Sequence, residues 1–125
     1  QLVLPDAGAV ERYDYLSDDA ISCSKVRDVS TGKILEIKID NPEKIGNRPL
    51  MVIDDLCDGG ETFCRIAKAL EKLGVSKERL NIAIVHMVNS RGIENLSKNF
   101  NHVWFTNSYK DWENLPKNVT ITKVI

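Results

Sequence analysis

The run Leu50-Met51-Val52-Ile53 empties directly into Asp54-Asp55-Leu56-Cys57-Asp58-Gly59-Gly60-Glu61-Thr62, after which Phe63, Ile66, Ala67, Leu70 and Leu73 recur at helical spacing until Gly74. A strand with four consecutive apolar residues has no polar face to offer water. It must be covered on both sides, as parallel strands in α/β sheets are. The strand–loop–helix junction is a ready anion site, because free N–H groups at a helix start point outward and the macrodipole favours negative charge there. Gly59 and Gly60 let backbone amides approach a phosphate closely, and Thr62 adds a hydroxyl. Asp54 and Asp55 fall where open α/β sheets bind ligands, beyond the carboxyl end of a strand. Two acceptors there suit sugar hydroxyls, directly or through Mg²⁺. Asp and Gly after a strand are also ordinary turn chemistry, and an Asp near a helix start also serves as a cap. The loop is neither a Walker loop nor Gly-x-Gly-x-x-Gly.

Elsewhere strand and helix signals alternate. Leu2-Val3-Leu4, stopped by Pro5, predicts a buried strand, and the chain then turns through Asp6-Ala7-Gly8-Ala9 into a helix reaching Leu16. Ala20 to Ser24 predicts a second strand, and Lys25 to Gly32 a polar loop. Ile34 to Ile39 is the next strand, ended by the turn signal Asp40-Asn41-Pro42. Leu80 to Val88 predicts a strand, Ile93 to Phe100 a short helix, His102 to Thr106 a strand and Val119 to Thr122 a last one. The expected fold class is α/β, with three layers: a mainly parallel sheet with helices on both faces.

Composition removes several function classes. A chain of 125 residues supports one domain, here 1–125. With 42% hydrophobic residues and a net charge of −1, disorder and non-specific nucleic-acid binding are not expected. No apolar run is long enough for a membrane span. Three cysteines (Cys23, Cys57, Cys64), none in a Cys-x-x-Cys pair, argue against a disulfide framework or a zinc site and fit a cytoplasmic setting. The chain starts at Gln1 close to an apolar run and ends on Val124-Ile125, so we expect a piece of a longer protein.

The run Val52 to Thr62 resembles the phosphoribosyl-diphosphate (PRPP) motif of type I phosphoribosyltransferases: an apolar strand, two acidic residues, a short loop and Thr-Gly-x-Thr. Four further segments are similar to the carboxyl-terminal half of the ribose-phosphate pyrophosphokinase (PRPP synthetase) family. Pro5-Asp6-Ala7-Gly8-Ala9-Val10-Glu11-Arg12 looks like its Pro-Asp-Ala-Gly-Gly-x-Lys-Arg diphosphate loop. Ser24-Lys25-Val26-Arg27 is similar to its Lys-Arg-Arg segment. His86 and Ser90 match Thr-His-x-x-x-Ser-Gly, with Val85 and Arg91 departing, and Thr106-Asn107-Ser108 matches Thr-Asn-Ser/Thr.

The resemblance implies a type I phosphoribosyltransferase-like fold and the carboxyl-terminal half of a diphosphokinase. That enzyme transfers the diphosphoryl group of ATP to the anomeric hydroxyl of ribose 5-phosphate, giving PRPP and AMP. It further implies that Asp54 and Asp55 hold the ribose hydroxyls with Mg²⁺ nearby, and that Asp58, Gly59, Gly60, Glu61 and Thr62 wrap the 5-phosphate. Asp6, Ala7, Gly8 and Ala9 would lie at the diphosphate, and Lys25 and Arg27 would be catalytic, stabilising charge on the transferring group. A homo-oligomer is implied for the full-length protein. Read by themselves, Lys25 and Arg27 belong to a solvated loop as readily as to a site, and His86 reads as a strand-end residue with a satisfied hydrogen bond. Two other readings are a phosphoribosyltransferase that consumes PRPP and a catalytically silent PRPP-binding regulator. Gly59 stands where the family has Thr or Ser, Glu61 brings a carboxylate to an anion loop, and Glu11 replaces a basic residue. The room at Gly59 either admits a larger 5-substituent, such as that of ADP-ribose, or is made good by the amides of Gly59 and Gly60. The second alternative, with ribose 5-phosphate as ligand, is the one the residues favour.

Overall fold

The computed structural model describes residues 1–125, the side chain of Leu35 excepted. The strands are β1 (Leu2–Leu4), β2 (Ile21–Arg27), β3 (Ile34–Ile39), β4 (Leu50–Cys57), β5 (Leu80–Met87), β6 (His102–Thr106) and β7 (Val119–Thr122). The helices are α1 (Ala7–Tyr13), α2 (Glu61–Lys72) and α3 (Ser90–Asn99). The seven strands form one sheet in the order β3-β2-β1-β4-β5-β6-β7. All neighbours run parallel except β2 and β3, which form an antiparallel hairpin at one edge. The chain leaves β1 toward β2 on one side and resumes at β4 on the other. The switch in strand order therefore lies between β1 and β4, where loops part and leave a crevice at the carboxyl ends.

Period-2 alternation divides the core between the two faces of the sheet. Val3, Ile21, Val52, Leu80 and Ile82 form one cluster with Phe63, Ile66, Ala67 and Leu70 of α2 and with Ile93 and Leu96 of α3. Each Val, Leu, Ile or Phe side chain of this cluster, when fully buried, contributes about 1.5–3 kcal/mol of hydrophobic stabilisation before entropy is counted. Leu4, pointing the other way from Val3, is buried outside that cluster, as is Ala9 of α1, the helix that packs on β1 and β2. Helices thus lie on both faces, as the alternation predicts.

The polar groups of the interior are paired. Buried Asn81 donates to the carbonyls of Leu50 and Arg79, tying the start of β5 to β4. Asn118 donates to the carbonyls of Ser97 and Phe100, satisfying the end of α3 just before β7 begins. Among the described residues no helix is long and apolar enough to cross a membrane.

Several boundaries differ from the sequence reading. β2 continues to Arg27, so Lys25 and Arg27 are strand residues and not loop residues. Antiparallel pairing with Ile37, Glu36 and Ile34 of β3 is the tertiary cause, and no single-strand pattern reveals it. β4 runs on to Cys57, which places Asp54 and Asp55 inside the strand, Asp54 paired with Ile84 of β5. The first helix ends at Tyr13, with Asp14–Leu16 in a separate 3-10 turn, and α3 begins at Ser90, three residues before Ile93.

Candidate functional site

The carboxyl ends of β1 and β4 open on a cleft of about 230 Å³. Pro5 and Asp6 reach it from β1, Lys25 from β2, and Asp54, Leu56 and the loop Asp58 to Phe63 from β4. Residues from three separate stretches of chain, each singled out in the sequence, therefore meet in one place.

Local chemistry explains the shape of the loop. Gly60 is the residue before α2 and has a left-handed backbone, φ 84°, which a residue with a Cβ rarely adopts. No side chain caps the helix there, so its first amides are left without a side-chain acceptor. The loop is braced from α3. Asn95 Nδ2 donates to the Gly59 carbonyl at 2.8 Å, and Asn89 Nδ2 donates to Asp58 Oδ1 at 3.0 Å. Gly92 lies directly under the loop, where a Cβ would collide with the Asp58 carbonyl oxygen. Asn89, Arg91, Gly92 and Asn95 were given no role by the sequence reading. Their only signal is the i, i+4 polar stripe of Arg91, Asn95 and Asn99 on a helix that buries Ile93 and Leu96.

Asp54 and Asp55 stand side by side with different environments. The Asp54 side chain is 11% exposed, and its Oδ1 accepts from the Asp55 amide at 2.8 Å and from Arg12 Nη2 at 2.9 Å. Burial pushes its carboxyl above the ordinary aspartate range, and the guanidinium does not fully offset this. Asp55, half exposed, is held below that range by hydrogen bonding to Asp54 and by the charge of Arg12, 3.4 Å away. Arg12, quoted within the first loop but given no role of its own, is therefore the counter-ion of the acidic pair.

Asp6 caps α1, its Oδ1 accepting from the Ala9 amide at 2.9 Å, and its Oδ2 lies 3.7 Å from Lys25 Nζ. Ala7, Gly8 and Ala9 form the first turn of α1 and do not line the cleft. Arg27 is farther along the hairpin, donates to the Gly32 carbonyl and does not line it either. His86 Nδ1 meets Ser108 Oγ at 2.6 Å, the satisfied strand-end contact expected of it, and His102 Nε2 meets Thr120 Oγ1 at 2.7 Å. Cys57 is buried among packing residues, its thiol pushed up to about 12 by burial.

The Glu61 carboxylate does not point away from the loop. It folds back over Gly59, with Oε1 2.5 Å from the position a Gly59 Cβ would take, and it accepts from Arg91 Nη2 at 2.7 Å. Its own backbone N–H and Arg91 hold its carboxyl below the usual range. The room left by Gly59 is thus filled by Glu61 and is not an open exit for a larger 5-substituent. The cleft is lined by the carboxylates of Asp6, Asp54, Asp58 and Glu61 against the single ammonium of Lys25.

Among the described residues no group of three or more His, Cys, Asp or Glu side chains is placed to hold a metal ion. The Asp54–Asp55 pair fits Mg²⁺ only in the manner of ions that take one or two carboxylates and complete their shell with phosphate oxygens and water.

This sheet order, the edge hairpin and the crevice at the β1/β4 switch define an α/β fold of the type I phosphoribosyltransferase kind. Solved structures that share it include the following two. The phosphoribosylpyrophosphate synthetase from Mycobacterium smegmatis matches 98% of this chain at 19% identity and a TM-score of 0.70. The chain spans 40% of the length of that synthetase chain. The APRTase from Giardia lamblia, in its complex with 9-deazaadenine, matches 84% of this chain and 67% of its own, at 15% identity and a TM-score of 0.64. No protein-family model and no curated protein sequence matches the chain.

Proposed function

We propose that this chain is the sugar-phosphate-binding domain of a ribose-phosphate diphosphokinase, with PRPP as product and Mg²⁺ as the accompanying ion. The observation that carries the reading is the convergence of Asp6, Lys25, Asp54 and the Asp58–Thr62 loop on one cleft at the sheet's switch point. Asp54 and Asp55 receive the ribose hydroxyls, and the loop amides before α2 receive the 5-phosphate. Lys25, facing Asp6, stabilises charge on the diphosphoryl group. Asp54 and Asp55 would hold Mg²⁺ together with substrate oxygens, and the ion would supply neutralisation of diphosphate charge. Arg12 is the cation that pairs the two carboxylates in this structure. Arg27 has no contact with the cleft and takes no part in this scheme unless the hairpin moves.

A second reading is a PRPP-binding regulator without turnover. It is favoured by one observation: charged groups of the cleft are already paired internally, Asp54 with Arg12, Asp6 with Lys25 and Glu61 with Arg91. A phosphoribosyltransferase that consumes PRPP is supported less, since the Pro5–Arg12 and Ser24–Arg27 segments are similar to diphosphokinase segments. The readings separate in the full-length protein supplied with ATP, Mg²⁺ and ribose 5-phosphate. Formation of AMP and PRPP supports the diphosphokinase. PRPP binding without AMP formation supports the regulator. The 125-residue chain alone should bind the sugar phosphate but release no AMP, because a cleft of about 230 Å³ does not hold ATP and a pentose phosphate together.

A further inference from the structure

Resting on the sugar-phosphate reading above, we infer that Arg91 is the phosphate-binding cation of the loop and that Glu61 holds it in reserve, the two anions competing for one guanidinium. The geometry gives three reasons. First, the Glu61 carboxylate is seated over Gly59, in the space a side chain at 59 would otherwise fill, and so stands on the mouth of the loop. Second, it draws on a donor a phosphate would use, the Arg91 guanidinium 2.7 Å away. A carboxylate bound this way imitates a ligand oxyanion. Third, the cleft is short of positive charge. An entering dianion meets Asp6, Asp54 and Asp58 with Lys25 as the ammonium among the lining residues, while Arg12 is engaged by Asp54 and Asp55. Arg91 is the cation beside the loop, and it is paired with Glu61.

Both partners are on the surface, with side chains 66% and 62% exposed, so neither is locked by packing. An exposed ion pair of this kind is weakly stabilising and readily exchanged. A phosphate carries more charge than a carboxylate and accepts a bidentate guanidinium better. When it enters, Glu61 swings toward solvent and Arg91 stays on the loop. Gly59 has a part in this, because it provides the recess into which the carboxylate folds. The pair acts as a threshold: ligands lacking a dianionic phosphate, such as free ribose or a 5-phosphodiester, do not displace Glu61.

Amide NMR titrations of the 125-residue chain with metal-free ribose 5-phosphate test this, using wild type, Glu61→Gln, Arg91→Gln and the double variant. Glu61→Gln should tighten binding about tenfold and Arg91→Gln weaken it about tenfold, the scale of one charge-assisted hydrogen bond. The double variant should lose the gain of Glu61→Gln. A wild type that binds through Asp58–Thr62 with affinity unchanged in Glu61→Gln or in Arg91→Gln overturns the inference and leaves the sugar-phosphate reading standing. Absence of any shift at Asp58–Thr62 in all four proteins, each folded by its amide spectrum, removes the sugar-phosphate reading itself and the inference with it. Free ribose, the control, should leave the loop amides unmoved; shifts equal to those from ribose 5-phosphate contradict the inference.

Discussion

Gly92 and Asp58 are in direct contact across the α3–loop junction, with no room between the glycine Cα and the aspartate carbonyl for a side chain. The opposing atom is backbone, so it cannot rotate away. Gly92→Ala should therefore force α3 and the loop apart, at a cost of about 1–3 kcal/mol as for other overpacked sites. Urea unfolding measures the loss. Sugar-phosphate affinity should fall further than a control of equal destabilisation remote from the loop, such as Val103→Ala.

Asp55 lies at the open side of the acidic pair and Asp54 at the buried side. Asp55→Asn keeps the shape while replacing a charged acceptor with a side chain that also donates. Charge-assisted hydrogen bonds are worth about 1.5–3 kcal/mol, so ribose 5-phosphate affinity should drop about ten- to a hundredfold. Calorimetry with an unchanged dissociation constant would take the pair out of the site.

Lys25 and Arg27, which looked equivalent in sequence, should part company in a titration with PRPP. Lys25→Gln removes the only ammonium lining the cleft, and affinity should fall about tenfold, on the scale of one charged hydrogen bond. Arg27→Gln should change it by less than about twofold, the range of an ordinary surface substitution. Equal effects from the two would mean that the hairpin closes over the ligand.

The buried thiols give a pH signature. Burial pushes both Cys23 and Cys57 up to about 12. Below the ordinary thiol value of about 8.5 both states hold the proton and the thiols have no effect on the folding equilibrium. Above it the unfolded chain loses protons that the folded chain keeps, so stability falls as pH rises, until the folded thiols also ionise near 12. Each thiol should remove about 2 kcal/mol by pH 10. Urea midpoints at pH 8 and pH 10 should differ in the wild type, and clearly less in a Cys23→Ala/Cys57→Ala variant.

What could be read in advance follows from the range of the interaction. The sheet strands and α2 were legible because Val52, Ile53, Ile66 and Leu70 obey local periodicities that tertiary packing then uses. The acidic pair and the glycine loop were legible because strand–loop–helix chemistry is local too. The extension of β2 through Lys25 to Arg27 was not, because it depends on pairing with β3 in another part of the chain. The pairs Arg12–Asp54 and Glu61–Arg91 join residues 42 and 30 positions apart. Nothing at Glu61 alone tells whether its carboxylate leaves the loop or folds back onto it. The room at Gly59, for which an opening was the less favoured of two readings, is closed by that same carboxylate.

The central claim is that the crevice between β1 and β4 binds a pentose phosphate through the Asp58–Thr62 loop and the Asp54–Asp55 pair. Its most direct test is calorimetry of this chain with PRPP and Mg²⁺, repeated with Asp55→Asn and with inorganic phosphate in place of PRPP. The account predicts saturable one-to-one binding of PRPP that weakens at least tenfold in Asp55→Asn, and weaker binding of inorganic phosphate, which offers the loop an anion but the acidic pair no hydroxyls. Absence of heat and of amide shifts at millimolar PRPP, or PRPP binding no tighter than inorganic phosphate and indifferent to Asp55, would contradict it.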